Sequence, residues 1–351
     1  MKKMLFCAAA AIVALASCSK THVVYNGDPQ EIAFKQITGA MTKTDPALTD
    51  YHSSMGVFAN ENVTDSPEYF DNTEFSKSTA DGATYWVANP TKYWPFQTEL
   101  KFIVYAPFYE TVQSPLGPQA TVNYTSDPTL SISDFTVVDY DNTNVYAQKN
   151  GSTPENLNVD DLMYGSKVTV QGNTTDAVPV LLKHALSRIE VNVMATVANA
   201  ITINSIVLED VTKNSDLTVT YSEDDQSQEF PKPLVGTPAW SYNGQNANTL
   251  DLTIGTSEEV ISTANSSSSY GNPFLIIPSD EQTSFTINYT LNGKSSVATV
   301  DLANSWLPGY KYVYDFTFTL NEIKLTPTVT EWEEGTVSEV TPDNDSNIDV
   351  Q

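Results

Sequence analysis

Residues 284–302 read SFTINYTLNGKSSVATVDL, and this stretch decides the fold class. Phe285, Ile287, Tyr289 and Leu291 alternate with Thr286, Asn288 and Thr290, the period-two pattern of a strand with one buried face. Asn292-Gly293 follows, and then a second run from Lys294 to Leu302. Asn and Gly accept the left-handed backbone of a two-residue turn, so this dipeptide between two runs predicts an antiparallel hairpin.

The same alternation extends outward. Downstream, Tyr310, Tyr312, Tyr314, Phe316, Phe318 and Leu320 alternate with Lys311, Val313, Asp315, Thr317 and Thr319. Upstream it recurs at Ile189, Val191 and Val193, at Leu217, Val219 and Tyr221, and at Leu250, Leu252 and Ile254. Short strands with frequent turns predict an all-β protein built from β-sandwiches. Helical patterning is sparse; one short turn is expected within Pro154 to Asp161. No repeat of solenoid length is present.

The N-terminus predicts export. Lys2 and Lys3 precede an apolar run from Met4 to Ala14, too short to span a bilayer. It ends in Leu15-Ala16-Ser17-Cys18, which resembles the lipobox of lipoprotein signal peptidase. Residues 1–17 are therefore read as a signal peptide and Cys18 as the acylated first residue of the mature chain. Lipid chains contribute about 0.8 kcal/mol per buried methylene, so more than one chain makes a durable anchor. The other cysteine, Cys7, leaves with the signal. No thiol then remains for a disulfide, and stability rests on packing.

Residues 18–30 are polar, with a turn signal at Asn26-Gly27-Asp28-Pro29, and read as a tether. The 351-residue length suits two domains. They are placed at 31–177 and 178–340 across the polar stretch 171–176, leaving 341–351 as a polar tail. The formal net charge of −26 and a single arginine, Arg188, argue against nucleic-acid binding, which needs clustered basic side chains.

Enzyme chemistry is not written in the sequence. It holds no G-x-S-x-G elbow, no H-E-x-x-H and no phosphate-binding glycine loop. His184 lies near Ser187, with Glu209 and Asp210 downstream, but a core histidine is the stronger reading. Asp139 to Asn144 superficially resembles a calcium loop, yet Asn144 stands where glycine is needed and Asn150 where glutamate is needed. No metal or cofactor is expected. Trp86, Tyr93, Trp94, Trp240 and Tyr242 would suit a sugar-stacking platform if exposed; packing is the commoner use of such residues in a β-protein.

Several segments in order resemble one family. They are Ile32-Ala33-Phe34 with Met41-Thr42-Lys43-Thr44; Tyr93-Trp94-Pro95; Leu100-Lys101-Phe102; Tyr105-Ala106-Pro107; and Asp161-Leu162-Met163-Tyr164-Gly165. Leu182-Lys183-His184-Ala185-Leu186-Ser187-Arg188-Ile189, then Trp306-Leu307-Pro308-Gly309-Tyr310-Lys311-Tyr312, and finally Val329-Thr330-Glu331-Trp332 complete the series. The series resembles the Bacteroidales fimbrillins, the lipoprotein pilins of protease-assembled (type V) pili.

The resemblance implies two transthyretin-like β-sandwich domains in tandem. It further implies a structural subunit of an adhesive surface pilus, held at the outer membrane by lipid on Cys18 and partnered by copies of itself or related pilins. It implies processing in the loop at Lys43, by a protease that accepts lysine where the family often has arginine. The first strand, with Ile32 and Phe34 pointing inward, would be cut away. A C-terminal segment of a neighbour, 323–340 with Ile323, Leu325 and Val329 on one face, would replace it. The alternative function is a glycan-binding surface lipoprotein that does not polymerise.

Overall fold

The computed structural model describes residues 30–36, 52–61, 68–80, 83–95, 98–110, 117–125, 127–139, 146–150, 153–170, 177–227, 232–241, 249–255, 259–280, 283–302, 305–332 and 346–349. Cys18, Lys43 and Tyr242 lie outside them. The first half supplies β1 (Ala33–Gln36), β2 (Ser54–Glu61), β3 (Glu68–Ala80), β4 (Ala83–Ala88), β5 (Glu99–Ala106), β6 (Gln119–Asn123), β7 (Thr129–Thr136), β8 (Tyr146–Asn150), β9 (Thr153–Leu157), β10 (Met163–Val170) and β11 (Val178–His184). The second supplies β12 (Ser187–Ala195), β13 (Ile201–Thr212), β14 (Asn214–Glu223), β15 (Leu234–Ser241), β16 (Thr249–Ile254), β17 (Glu259–Val260), β18 (Ser268–Ser269), β19 (Phe274–Ile276), β20 (Thr283–Leu291), β21 (Lys294–Leu302), β22 (Tyr310–Phe318), β23 (Glu322–Glu331) and β24 (Ser346–Asp349).

No helix occurs among the described residues, and the turn expected within Pro154 to Asp161 is instead β9, paired with β8. The hairpin predicted at 284–302 is β20–β21, in register from Thr283↔Leu302 to Leu291↔Lys294. Asn292 and Gly293 carry the positive φ angles, 49° and 82°, that a turn of this hand needs.

In the first domain, β1-β11-β10-β5-β2-β3-β4 close on themselves, with β1 pairing parallel to β11 on one side and antiparallel to β4 on the other. Inside lies a separate core of Ile32, Phe34, Val57, Phe70, Phe75, Trp86, Phe102 and Val180, with their neighbours. In the second domain, β18-β12-β22-β23-β24 and β16-β13-β20-β21 form the two sheets. Phe285 sits between them, edge-on to Tyr314 at 5.1 Å and to Phe316 at 5.3 Å.

Two features of the strand pairing bear on the domain layout. Val178–His184 belongs to the first domain, because its backbone pairs with β10 and β1. The chain leaves this closed sheet only after His184, at Ala185-Leu186. A further sheet, β15-β14-β7-β6, joins strands from both halves, with β7 bonded to β14. Asn158, fully buried, strengthens the join: its side chain donates to the carbonyls of Val138 and Leu275 and accepts from Leu275 N–H at 2.8 Å. The two halves share one buried core and do not merely follow one another.

Candidate functional site: the first strand and the C-terminal segment

The first strand sits as an insert in the wall of the first domain. Gln30 and Ile32 exchange backbone hydrogen bonds with Trp94 and Lys92, at 2.9 and 2.8 Å. Beyond them Ala33 and Phe34 pair with Val87 and Trp86, while Phe34 to Gln36 pair with Val178 to Val180. Ile32 and Phe34 are both 0% exposed, facing inward as the alternation predicts. The Phe34 ring meets Phe75 and Phe102 edge-on, with centroids 5.0 and 5.1 Å away. Each such side chain contributes roughly 1.5–3 kcal/mol on burial.

The segment expected to act as donor has a place of its own. β23 pairs with β22 from Phe318↔Ile323 to Tyr310↔Glu331, a run of nine residue pairs. Ile323, Leu325 and Val329 are buried in the chain's own second-domain core. The polar tail is not wholly unattached: β24 pairs with the start of β23, from Glu322↔Asp349 to Leu325↔Ser346. Thr319 N–H bonds to Glu322 C=O at the turn, so alternation turns the backbone of Ile323, Leu325 and Pro327 toward the β24 side. Pro327 has no N–H to offer there, and the β24 pairing stops before it.

Where β23 ends, the two domains meet. Trp332 N–H donates to the carbonyl of Gly309 at 2.7 Å, and its indole stacks on the His184 imidazole, centroids 3.8 Å apart and planes 7° from parallel. The Arg188 guanidinium lies 5.8 Å from the same indole, and its Nε donates to Glu190 at 2.7 Å. His184 Nδ1 in turn lies 2.7 Å from the carboxylate of fully buried Asp161. His52 is buried beside them; burial outweighs the neighbouring Asp161 and holds its imidazole below the ordinary histidine range. Burial, then the Asp161 charge, raises the Asp160 carboxyl to about 6. In the sequence His184 reads as a core histidine and Trp332 as part of a late motif; nothing in their spacing shows that they stack.

A profile described as fimbrillin-like matches residues 41–332. The chain belongs to the fimbrillin-like family. Among solved structures, a protein assigned to cell adhesion from Bacteroides ovatus is 12% identical, covers 87% of this chain and 99% of its own, and superposes with a TM-score of 0.50. A fimbrial assembly protein from Parabacteroides distasonis is 13% identical, with 88% and 98% coverage and a TM-score of 0.45. The tip fimbrial protein Mfa3 from Porphyromonas gingivalis is 12% identical, with 86% and 98% coverage and a TM-score of 0.40. No curated protein matches the chain.

Fimbrillins are structural pilus subunits of the cell surface and not enzymes, and the geometry around His184 agrees with that. Ser187 Oγ donates to the Leu307 carbonyl, while Glu209 accepts from Ser284, so neither approaches the imidazole as a triad member would. Among the described residues no cluster of three His, Cys, Asp or Glu side chains is placed to hold a metal ion. Asp139, the first residue of the calcium-like stretch, accepts the backbone N–H of Thr253 at 3.0 Å. The aromatic residues of this fimbrillin are spent on packing: Trp86 is 0% exposed, Trp94 meets Phe102 edge-on, and Trp240 packs on Phe135 and donates to Ala185 C=O. Of those described, Tyr93 alone is exposed.

Proposed function

We propose that this fimbrillin is lipidated at Cys18, held at the outer membrane, and built into an adhesive pilus by strand exchange. A lysine-accepting protease cuts after Lys43, β1 leaves, and the C-terminal tail of a neighbouring copy takes its seat. The observation that carries this reading is the seat itself. β1 fills a core separate from the rest, is bound on both edges, and is joined to β2 by residues 37–53, which contain Lys43.

Losing Ile32 and Phe34 removes roughly 3–6 kcal/mol of apolar burial, against about 5–15 kcal/mol for a whole domain. The opened edges of β4 and β11 then present unpaired backbone groups, which another strand satisfies. The larger core, shared by the two halves, includes no side chain of β1 and loses none when β1 leaves.

Strand exchange calls for a donor that can leave home cheaply. β23 does not qualify, since Ile323, Leu325 and Val329 anchor it in its own sheet. The donor is therefore narrowed from 323–340 to the chain beyond Trp332, whose described part is held by the four pairs of β24. The test is to treat purified protein with a lysine-specific protease and follow fragments and polymers together. Expected are a stable fragment beginning at Thr44, polymers that form only after the cut, and neither in Lys43→Ala. Polymers growing equally from uncut Lys43→Ala protein would sink the scheme.

A further inference from the structure

The β22–β23 hairpin has its closed end at the Thr319–Glu322 turn and its open end at Tyr310↔Glu331. The tail leaves from that open end. A pull on the tail therefore reaches the hairpin where its pairs can be opened singly, one after another, instead of all at once in shear. A hairpin loaded in that direction is a zip, and a subunit that holds its neighbour by the tail would be drawn apart along it.

At this same point the chain is gripped by groups from outside the hairpin. Trp332 lies against His184, at the end of β11, which is tied by Asp161 to the segment entering β10. Arg188 of β12 lies over the same indole. Backbone bonds carry the grip inward, from Trp332 N–H to Gly309 C=O and from Gly309 N–H to Leu186 C=O, with Gly309 at φ 75°. A flat stack between an indole and an imidazole, with a cation alongside, is a contact of aromatic and cation–π type. The imidazole side of the grip is anchored in the first domain, while Arg188 and Gly309 tie it to the second.

We infer that Trp332 is the stop that keeps a loaded tail from unzipping β23, by passing the pull through His184 and Asp161 into the first domain. The first domain is the one whose groove receives the previous subunit's tail under the reading above, so the His184 arm of the grip gives the load a path from groove to tail that bypasses the β22–β23 pairs. This role rests on that reading for its use in a pilus, but a single molecule tests it without any polymer forming.

The test is constant-force pulling on the chain from Ser19. Thr79→Cys, on the exposed side of β3, provides one handle, and a cysteine appended after Gln351 provides the other. Wild type should give a short early step as β24 peels away, then a long wait before a step the size of β23. Trp332→Ala should shorten that wait about fivefold or more, the scale set by one or two kcal/mol. Trp332→Phe should recover part of it, and His184→Gln should lie between. Lys324→Ala, which removes only an exposed pairing with Glu322, should leave the wait unchanged. Equal waits for wild type, Trp332→Ala and His184→Gln would overturn the inference, as would a wild-type β23 that opens at once after β24.

Discussion

The indole of Trp332 lies flat on the imidazole of His184, 3.8 Å between ring centres, and so joins the residue just after β23 to the first domain's β11. The end of β23 is thereby tied to the first domain, and under the proposed strand exchange the segment given away begins after Trp332. Two truncations should behave differently. Ending the chain at Trp332 should leave both domains folded, with a thermal melt within a few degrees of the full protein, and abolish polymerisation. Ending it at Leu320 should unfold the second domain, because three buried aliphatic side chains and the whole of β23 go with it; deletion of one large core side chain already costs about 2–5 kcal/mol. Circular dichroism melts of the two forms check this.

Val191 tests the core of the second domain. It is 2% exposed, in register with Tyr314 of β22, and its neighbours Glu190 and Asn192 face outward. Val191→Asp would bury a carboxylate with no partner, at a cost of several kcal/mol against a marginal total. Loss of the cooperative melt is expected. A melting point close to wild type would mean that β12 is not packed as described.

The acid response of the joint has two opposed parts. The His52 imidazole is held below its unfolded range by burial, so its contribution to stability is full above pH 6.5 and falls as the pH drops through the folded value. Asp160 is raised from 3.8 to about 6, so the folded state binds its proton more tightly, and its penalty is present above pH 6 and relieved as the pH falls toward 4. His52→Gln should therefore make the protein relatively more stable in acid. Asp160→Asn should make it more stable near neutrality. Melting points measured from pH 4 to 8 for the three proteins check both signs, and parallel curves would contradict them.

Cys18 follows Leu15-Ala16-Ser17, the pattern expected of a lipid acceptor. Cys18→Ala should abolish labelled palmitate incorporation and move the protein from the membrane fraction to the soluble one. Label retained by the mutant would refute the anchor.

Much of the fold was legible because side-chain alternation is a local property. The hairpin at Asn292-Gly293 and the buried faces of β12, β14, β16 and β22 follow from period two alone, and so does the inward pointing of Ile32 and Phe34. What stayed hidden depends on partners distant in sequence. Nothing local says that Phe34 pairs in parallel with Val178, and that pairing is what assigns β11 to the first domain. The link between β7 and β14 is equally nonlocal, as is Asn158 standing in for a backbone partner of Leu275. Ile323, Leu325 and Val329 show the limit most clearly. Their alternation marks a strand with one apolar face, but the same pattern serves a strand kept at home and one given away.

The most direct test of the account is cryo-electron microscopy of the protein after cutting at Lys43. The account predicts filaments in which density for a neighbour's tail, from beyond Trp332, runs between Trp86-Val87 and Val178–Val180 where β1 had been, while β23 remains paired with β22. Filaments with β1 still seated, or with that groove empty and subunits joined through other surfaces, would contradict it.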